Sequence, residues 1–326
     1  TGDQLLDKYG FSAVILAIGA HKSRQMGIPG ENLPGVLRGT EFLREVAIGT
    51  PPQFEGKRVA IIGGGAVAID AARMALRYGG SKVHLIYRRT REDMPAWGEE
   101  VHAAAQEGIL FHFLTNPIRI LGDGHVTGIE CQSQGLGDFD LSARRRPVPI
   151  PGTEFVLDVD VVVSAIGEMP DVDCLEGSHG VSVNRDGTIT VSADLATSSP
   201  SVFAAGDVVL GPATVVTAIA QGNKVAEAVD AYLKGHSVVT PRFVSDYLGV
   251  PQIFNVEEYA EAKRAVMPEL AIETRLRSVA EVELGLDETS AREECKRCLR
   301  CDLEWLGTTK LVSEQDPEEY KLAMNE

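Results

Sequence analysis

Residues 58–68 read RVAIIGGGAVA. The first five form a short apolar run of the kind that fills a strand buried on both faces of a parallel sheet. Three glycines follow, and then an alanine-rich segment that the pattern predicts to be helical to about Tyr78. KVHLIY at 82–87 gives the next buried strand, so that 58–87 make one compact β-α-β unit. Gly63, Gly64, Gly65, Ala66, Val67 and Ala68 match the spacing G-x-G-x-x-G/A at the point where a strand turns into a helix. Small residues there permit a tight turn, approach of the backbone to a pyrophosphate, and close packing of helix on strand. The first helical amides and the helix dipole then face the phosphates. A glycine-rich turn with no ligand is the bland alternative. The strand-turn-helix setting favours a dinucleotide.

The next strand ends in Arg88-Arg89-Thr90-Arg91. A site for NAD(H) usually carries an acid at this place, to hold the ribose 2′-hydroxyl. Guanidinium groups suit a 2′-phosphate, which they bind with paired, charge-assisted hydrogen bonds. The sequence therefore favours NADP(H) over NAD(H). Arg88 and Arg89 point opposite ways if the strand runs through them, so only one is expected to be central.

Outward from this unit the α/β pattern continues. FSAVILAI (11–18) reads as a buried strand, 27–35 as loop, and 40–47 as a short helix with Thr40 as N-cap. Residues 96–107 read as helix, 109–114 as strand, 116–131 as a hairpin turning at Gly122-Asp123-Gly124, and 144–151 as an irregular crossing. VDVVVSAI (159–166) is another buried strand, ending at Gly167. A short hairpin is expected at 181–191 around Arg185-Asp186-Gly187. VFAA (202–205) delivers Gly206-Asp207, and a long helix follows from about Thr214 to Leu233. That helix could aim its positive N-terminus at a flavin ring edge. On chemistry alone Asp207 could equally be an N-cap. Beyond Gly235 the chain is polar and helical, broken by Pro241, Pro251 and Pro268, with a helix at 290–300 opened by the capping box Ser290-x-x-Glu293.

The whole chain has 326 residues, of which 44% are hydrophobic, enough to build a core and to set aside general disorder. Acidic residues outnumber basic ones 47 to 31, for a net charge of −16. Nucleic acid and anionic membrane are thereby poor partners, and no apolar run is long enough for membrane insertion. Of five cysteines, Cys131 and Cys174 stand alone while Cys295, Cys298 and Cys301 cluster as C-x-x-C-x-x-C. This pattern suits a reducing, cytoplasmic setting rather than a disulfide framework. Three thiols so spaced can ligate a [4Fe–4S] cluster, or zinc if a histidine joins them. The ferredoxin continuation would put a fourth cysteine at 305, where Trp305 stands. Free thiols are the alternative.

Taken together, AIGA (17–20), the glycine fingerprint, AIGEMPD (165–171) and Gly206-Asp207 come in the order of flavoproteins with two dinucleotide-binding domains. More narrowly, GGGAVAIDAAR (63–73) with YRRTREDMPA (87–96) resembles the glutamate synthase small-subunit family of NAD(P)H-dependent flavoprotein oxidoreductases. The resemblance runs from about Phe11 to Leu233. It implies an α/β fold of two Rossmann-like domains, for FAD and for NAD(P), the second inserted in the first, with a mostly helical C-terminal tail. The implied boundaries are 1–50 for the second part of the FAD domain, 51–170 for the NAD(P) domain, 171–240 for the FAD return segment and 241–326 for the tail.

By the same resemblance, Ala165 and Gly167 join the NADP(H) site and Glu168 lies near the nicotinamide. Asp207 would bind the FAD ribityl chain, with Gly206 allowing close approach. Thr214, Val215 and Ala218 would sit by the isoalloxazine, and Gly19 and Ala20 would line the FAD side of the cleft. Hydride passes directly between the two cofactors, so no acid or base is required. No glycine fingerprint for the ADP half of FAD precedes Phe11, so the first part of that domain is expected in a preceding segment or another chain. The expected activity is hydride transfer between NADP(H) and FAD, with electrons passed to iron–sulfur clusters or partner subunits. A disulfide or quinone reductase of the same fold is the alternative enzyme, and a nucleotide-sensing scaffold the non-enzymatic one.

Overall fold

The structure is a computed structural model; it describes residues 4–140, 144–175, 180–236 and 263–297, and the backbone of 242–243 and 311–312. Strands β1 (Val14–Leu16), β2 (Lys22–Ser23) and β3 (Val36–Arg38) lead into helix α1 (Gly39–Ala47). Next come β4 (Arg58–Ile62), α2 (Ala66–Arg77), β5 (Lys82–Ile86), α3 (Gly98–Gln106) and β6 (Leu110–His112). An antiparallel meander of β7 (Thr115–Gly122), β8 (Val126–Phe139) and β9 (Arg145–Leu157) precedes β10 (Val161–Ser164) and β11 (Glu168–Met169). After β12 (Val202–Ala204) lie α4 (Asp207–Leu210) and the long α5 (Val215–Lys234).

The central sheet is parallel throughout, in the order β3-β10-β4-β5-β6. Its inner strands are buried on both faces, as a parallel sheet requires. On one face Val59, Ile61, Leu85 and Val163 pack with Phe42 of α1, Val101 and Ala104 of α3, and Ala68, Ala72 and Ala75 of α2. Alanine is the strongest helix former and the smallest side chain that keeps a Cβ. It thus both makes α2 and lets that helix lie close to β4. On the other face Ala60, Ile62, Ile86 and Val162 meet Ile120, Val126, Ile129 and Cys131 of the meander. Burial there pushes the Cys131 thiol up to about 12.

A second, two-stranded parallel sheet pairs β1 with β12, placing Leu16 opposite Ala204. Its core adds Ile189 and Val208. The Gly206 N–H donates to Gln221 Oε1 on α5 at 2.7 Å, which ties the long helix to the end of β12.

Three local expectations change. Residues 144–151 are not an irregular crossing but the start of β9, an edge strand. Pro147, Pro149 and Pro151 hide the strand pattern, and only an edge tolerates prolines, because one side of it needs no donors. Thr40 does not cap α1; Arg38 holds the N-cap position, and the Thr40 hydroxyl bonds Ser23 Oγ at 2.8 Å instead. The helix Glu288–Lys296 is capped by Asp287, whose Oδ1 accepts the Ser290 N–H at 2.7 Å, so the cap stands three residues before Ser290.

The chain divides into two compact units, 1–233 with 272–279, and 234–271 with 280–326. In the first, the short helix Ile272–Arg275 brings Arg275 to a fully buried carboxylate, Glu107. Arg73 grips Glu107 with two bonds of 2.7 and 3.0 Å, and Arg77 and Arg275 stand 3.5 and 3.8 Å from the same Oε1. Removing one member of such a cluster leaves buried charge uncompensated. Glu107→Gln is therefore expected to cost about 3 kcal/mol, read as a lower urea midpoint at unchanged slope.

Candidate functional site

The strand order decides where a site forms, because the chain reverses at the carboxyl ends of β10, β4 and β5. A cavity of about 860 Å³ opens there. Its floor is the glycine turn, and the three glycines have distinct tasks. Gly63 has φ +145, and a Cβ on it would stand 2.1 Å from the carbonyl oxygen of Ala165. A Cβ on Gly64 would meet the Tyr87 ring at 2.5 Å. Gly65 differs: its φ is an ordinary −89°, and nothing among the described residues lies within 4 Å of where its Cβ would be. That space belongs to the cavity, which Gly65, Ala66 and Val67 line at the start of α2. The first amides of α2 thus border a cradle that a side chain would fill, and a pyrophosphate suits it. Ala68, the last fingerprint residue, is fully buried against the sheet.

Past β5, which stops at Ile86, the two arginines separate in a bend rather than by strand alternation. Arg88 is exposed and lines the cavity. Arg89 also borders it but is only 5% exposed, and its guanidinium is held inside. Its NH2 group bonds Asp140 Oδ2 and its Nε donates to the Arg145 carbonyl at 2.9 Å. Of the expected pair, Arg88 is the residue that presents its charge to a ligand.

Ala165, Gly167 and Glu168 line the opposite wall. Gly167 has φ +120, a conformation that favours glycine. Its carbonyl accepts the Arg24 N–H at 2.9 Å, and Arg24 Nε donates to the Glu168 carbonyl at 3.2 Å. Burial raises the Glu168 carboxyl above the ordinary range, and the positive charge of Arg24 pulls the other way. Thr214 closes this end. Its hydroxyl accepts the Thr217 N–H at 3.2 Å and so caps α5.

The remaining flavin-side candidates do not line this cavity. Parallel pairing of β1 with β12 places Gly19-Ala20 and Gly206-Asp207 at the same end of their small sheet. Gly206, with φ +79, is itself the N-cap of α4, which removes the capping role considered for Asp207. The Asp207 carboxylate is half-buried and no side-chain hydrogen bond engages it among the described residues. An acceptor so placed suits a polyol chain. On α5, Val215 is 76% exposed, and Ala218 is half-buried. Cys295 is exposed; Cys298 and Cys301 lie outside the described residues. No group of three or more metal-ligating side chains occurs among the described residues.

Residues 3–222 match the pyridine nucleotide-disulphide oxidoreductase family. The chain belongs to this family. The NADP(+)-dependent formate dehydrogenase subunit beta of Moorella thermoacetica is 44% identical over 312 residues, 92% of this chain and 43% of that protein. The NADPH-Fe(3+) oxidoreductase subunit beta of Geobacter sulfurreducens is 37% identical over 328 residues, 90% of this chain and 49% of that one. The resemblance to glutamate synthase small subunits holds too: the Escherichia coli glutamate synthase [NADPH] small chain is 35% identical, over 71% of this chain and 52% of that one. The chain spans about half the length of the curated relatives it matches. Among solved structures, Mycobacterium tuberculosis FprA in complex with NADPH superposes with a TM-score of 0.57 at 22% identity, covering 69% of this chain and 63% of that one. The T. acidophilum thioredoxin reductase gives 0.53 at 25% identity, covering 68% of this chain and 66% of that one. Both bear out the two-domain α/β fold. No helix among the described residues is long and apolar enough to cross a membrane.

Four residues left without a role by sequence reading bear on the cavity: Tyr87 and Arg144 line it, while Arg24 and Asp140 bond the lining residues Glu168 and Arg89. Tyr87 walls the glycine turn, its hydroxyl donating to the Asp93 carbonyl at 2.8 Å. Arg24, Asp140 and Arg144 are far from the fingerprint in sequence, and only the last of them carried a visible signal, as part of the basic run 144–146.

The glycines give a paired test. Gly63→Ala is expected to lose about 2 kcal/mol of stability, from the left-handed backbone and the clash with Ala165. Gly65→Ala is expected to melt within about 0.5 kcal/mol of the parent yet bind nucleotide at least about tenfold more weakly, by calorimetric titration.

Proposed function

We propose that this chain forms the NADP(H) site and one side of the FAD site of an oxidoreductase that passes electrons to iron–sulfur partner subunits. The observation that carries the reading is the open Gly65 position at the start of α2, with an exposed arginine, Arg88, at the neighbouring strand end of the same cavity. When bound, the two cofactors supply hydride transfer between nicotinamide and flavin. The chain's own residues bind and orient. Gly63 to Val67 hold the pyrophosphate, Arg88 faces the 2′-phosphate, and Ala165, Gly167 and Glu168 border the nicotinamide end. Gly19, Ala20, Gly206 and Asp207 contribute to the FAD side, with Thr214, Val215 and Ala218 near the ring. The names of the relatives, which are NADP- or NADPH-linked subunits, support the choice of nucleotide and a multi-subunit setting.

The nucleotide domain is drawn at 51–170, between flavin-binding parts at 1–50 and 171–240, with the tail at 241–326. The β1–β12 pairing supports joining the two outer parts. The upstream part also lends β3 to the edge of the central sheet. The disulfide-reductase alternative loses ground to the state of Cys131, whose buried, protonated thiol is the opposite of a reactive one. Cys295, Cys298 and Cys301 are proposed as an iron–sulfur or zinc ligand set, which iron and zinc analysis of the holoprotein resolves.

An anaerobic titration of the holoprotein tests the function. NADPH is expected to bleach the visible flavin band, and NADH to do so only at much higher concentration. Arg88→Ala is expected to raise the NADPH Kd about tenfold or more and leave that of NADH in place; equal losses for both would overturn the 2′-phosphate assignment. Asp207→Ala is expected to lower the flavin content of the holoprotein as isolated, and undiminished flavin would remove Asp207 from the site.

A further inference from the structure

A phosphate monoester carries close to two negative charges at neutral pH. The arginine pair after β5 meets it with less than its sequence offers, because Asp140 neutralises Arg89. The bond that occupies Arg89 has a second effect: it fastens the β8–β9 hairpin to the end of β5. Arg89 bonds both the Asp140 carboxylate and the Arg145 carbonyl. Within the hairpin, the Asp140 N–H donates to the Arg144 carbonyl at 2.8 Å, and Asp140 Oδ1 accepts the Arg144 N–H at 3.4 Å. One carboxylate thus binds the strand end and the backbone of Arg144 together. Arg144, so held, lines the cavity together with Arg88.

Among the described residues, the charged ones that border the cavity are Arg88, Arg89, Arg144 and Glu168. Glu168 follows β10, which is separated from β5 by β4. At ordinary strand spacing that puts it roughly 10 Å away from the arginine end. The arginine end is therefore the positive end of the cavity.

We propose that Arg144 is a second recognition residue for the 2′-phosphate, delivered to the cavity by the Arg89–Asp140 ion pair. The proposal rests on the NADP(H) reading of the same cavity. It assigns Arg88 and Arg144 to direct contact and makes Arg89 and Asp140 positioning residues. Each guanidinium can offer a phosphate a forked pair of hydrogen bonds, and two approaching from separate elements supply two positive charges to meet its two negative ones.

The test is calorimetric titration of the intact protein with 2′,5′-ADP and with 5′-ADP, which lacks the 2′-phosphate. The parent is expected to prefer 2′,5′-ADP. Arg144→Gln is expected to weaken 2′,5′-ADP about tenfold, as loss of a charged hydrogen bond does, and to leave 5′-ADP unchanged. Asp140→Asn is expected to lower the same preference by a smaller factor, again with 5′-ADP unchanged, an outcome that general loosening of the hairpin would not give. Undiminished 2′,5′-ADP binding in Arg144→Gln, beside a clear loss in Arg88→Gln, overturns the proposal and leaves the NADP(H) reading standing. Equal weakening of both ligands also overturns it, by showing a structural role. A parent that binds the two ligands equally overturns the NADP(H) reading itself.

Discussion

A parallel sheet has no face it can leave in water, and that constraint organises this molecule. β4, β5 and β10 are buried along nearly their whole length. Helices cover one face and an antiparallel meander the other. With both faces committed, the strand ends are the place where polar backbone can meet a ligand. The cavity lies there, and its walls come from elements whose first duty is to shield the sheet. The meander shows this well: it buries Ile86 and Ile62 with one part and reaches the cavity rim with another.

Charge in this part of the chain does two kinds of work. Glu107 gathers Arg73, Arg77 and Arg275, and none of these side chains is more than 16% exposed. Arg89 is likewise closed in by Asp140. Buried pairs of this kind fix geometry more than they add stability. Arg88 keeps its charge in the open. Two adjacent arginines are thus sorted, one buried in an ion pair and one exposed at the cavity, in the bend that follows β5 rather than within the strand.

The central unit was legible because each level agreed: apolar runs for β4 and β5, a glycine turn, and an alanine-rich helix, all within one short stretch. The sequence bounds of β4 match the structure at both ends. Alternation along a strand was the ground for expecting only one of the two arginines to be central, but β5 ends at Ile86 and the two are sorted by a distant partner instead. The deciding partner, Asp140, lies 51 residues away. Glu107 and Arg275 were silent for the same reason, being joined by packing across a long stretch of chain. β9 was missed because three prolines broke its pattern, and only knowing that it lies at an edge makes them acceptable. Sequence singled out Gly206-Asp207 but left open a capping role for the aspartate, which the backbone of Gly206 has now taken.

Gly63 touches the Ala165 carbonyl with no side chain between them, so the turn after β4 and the end of β10 meet backbone on backbone. The floor of the cavity and the wall after β10 therefore meet main chain to main chain. Their separation works as a gauge of fixed span, set by atoms that every residue shares. Substitutions in the surrounding side chains can reshape either end of the cavity, but the contact between the turn and the strand end keeps its span.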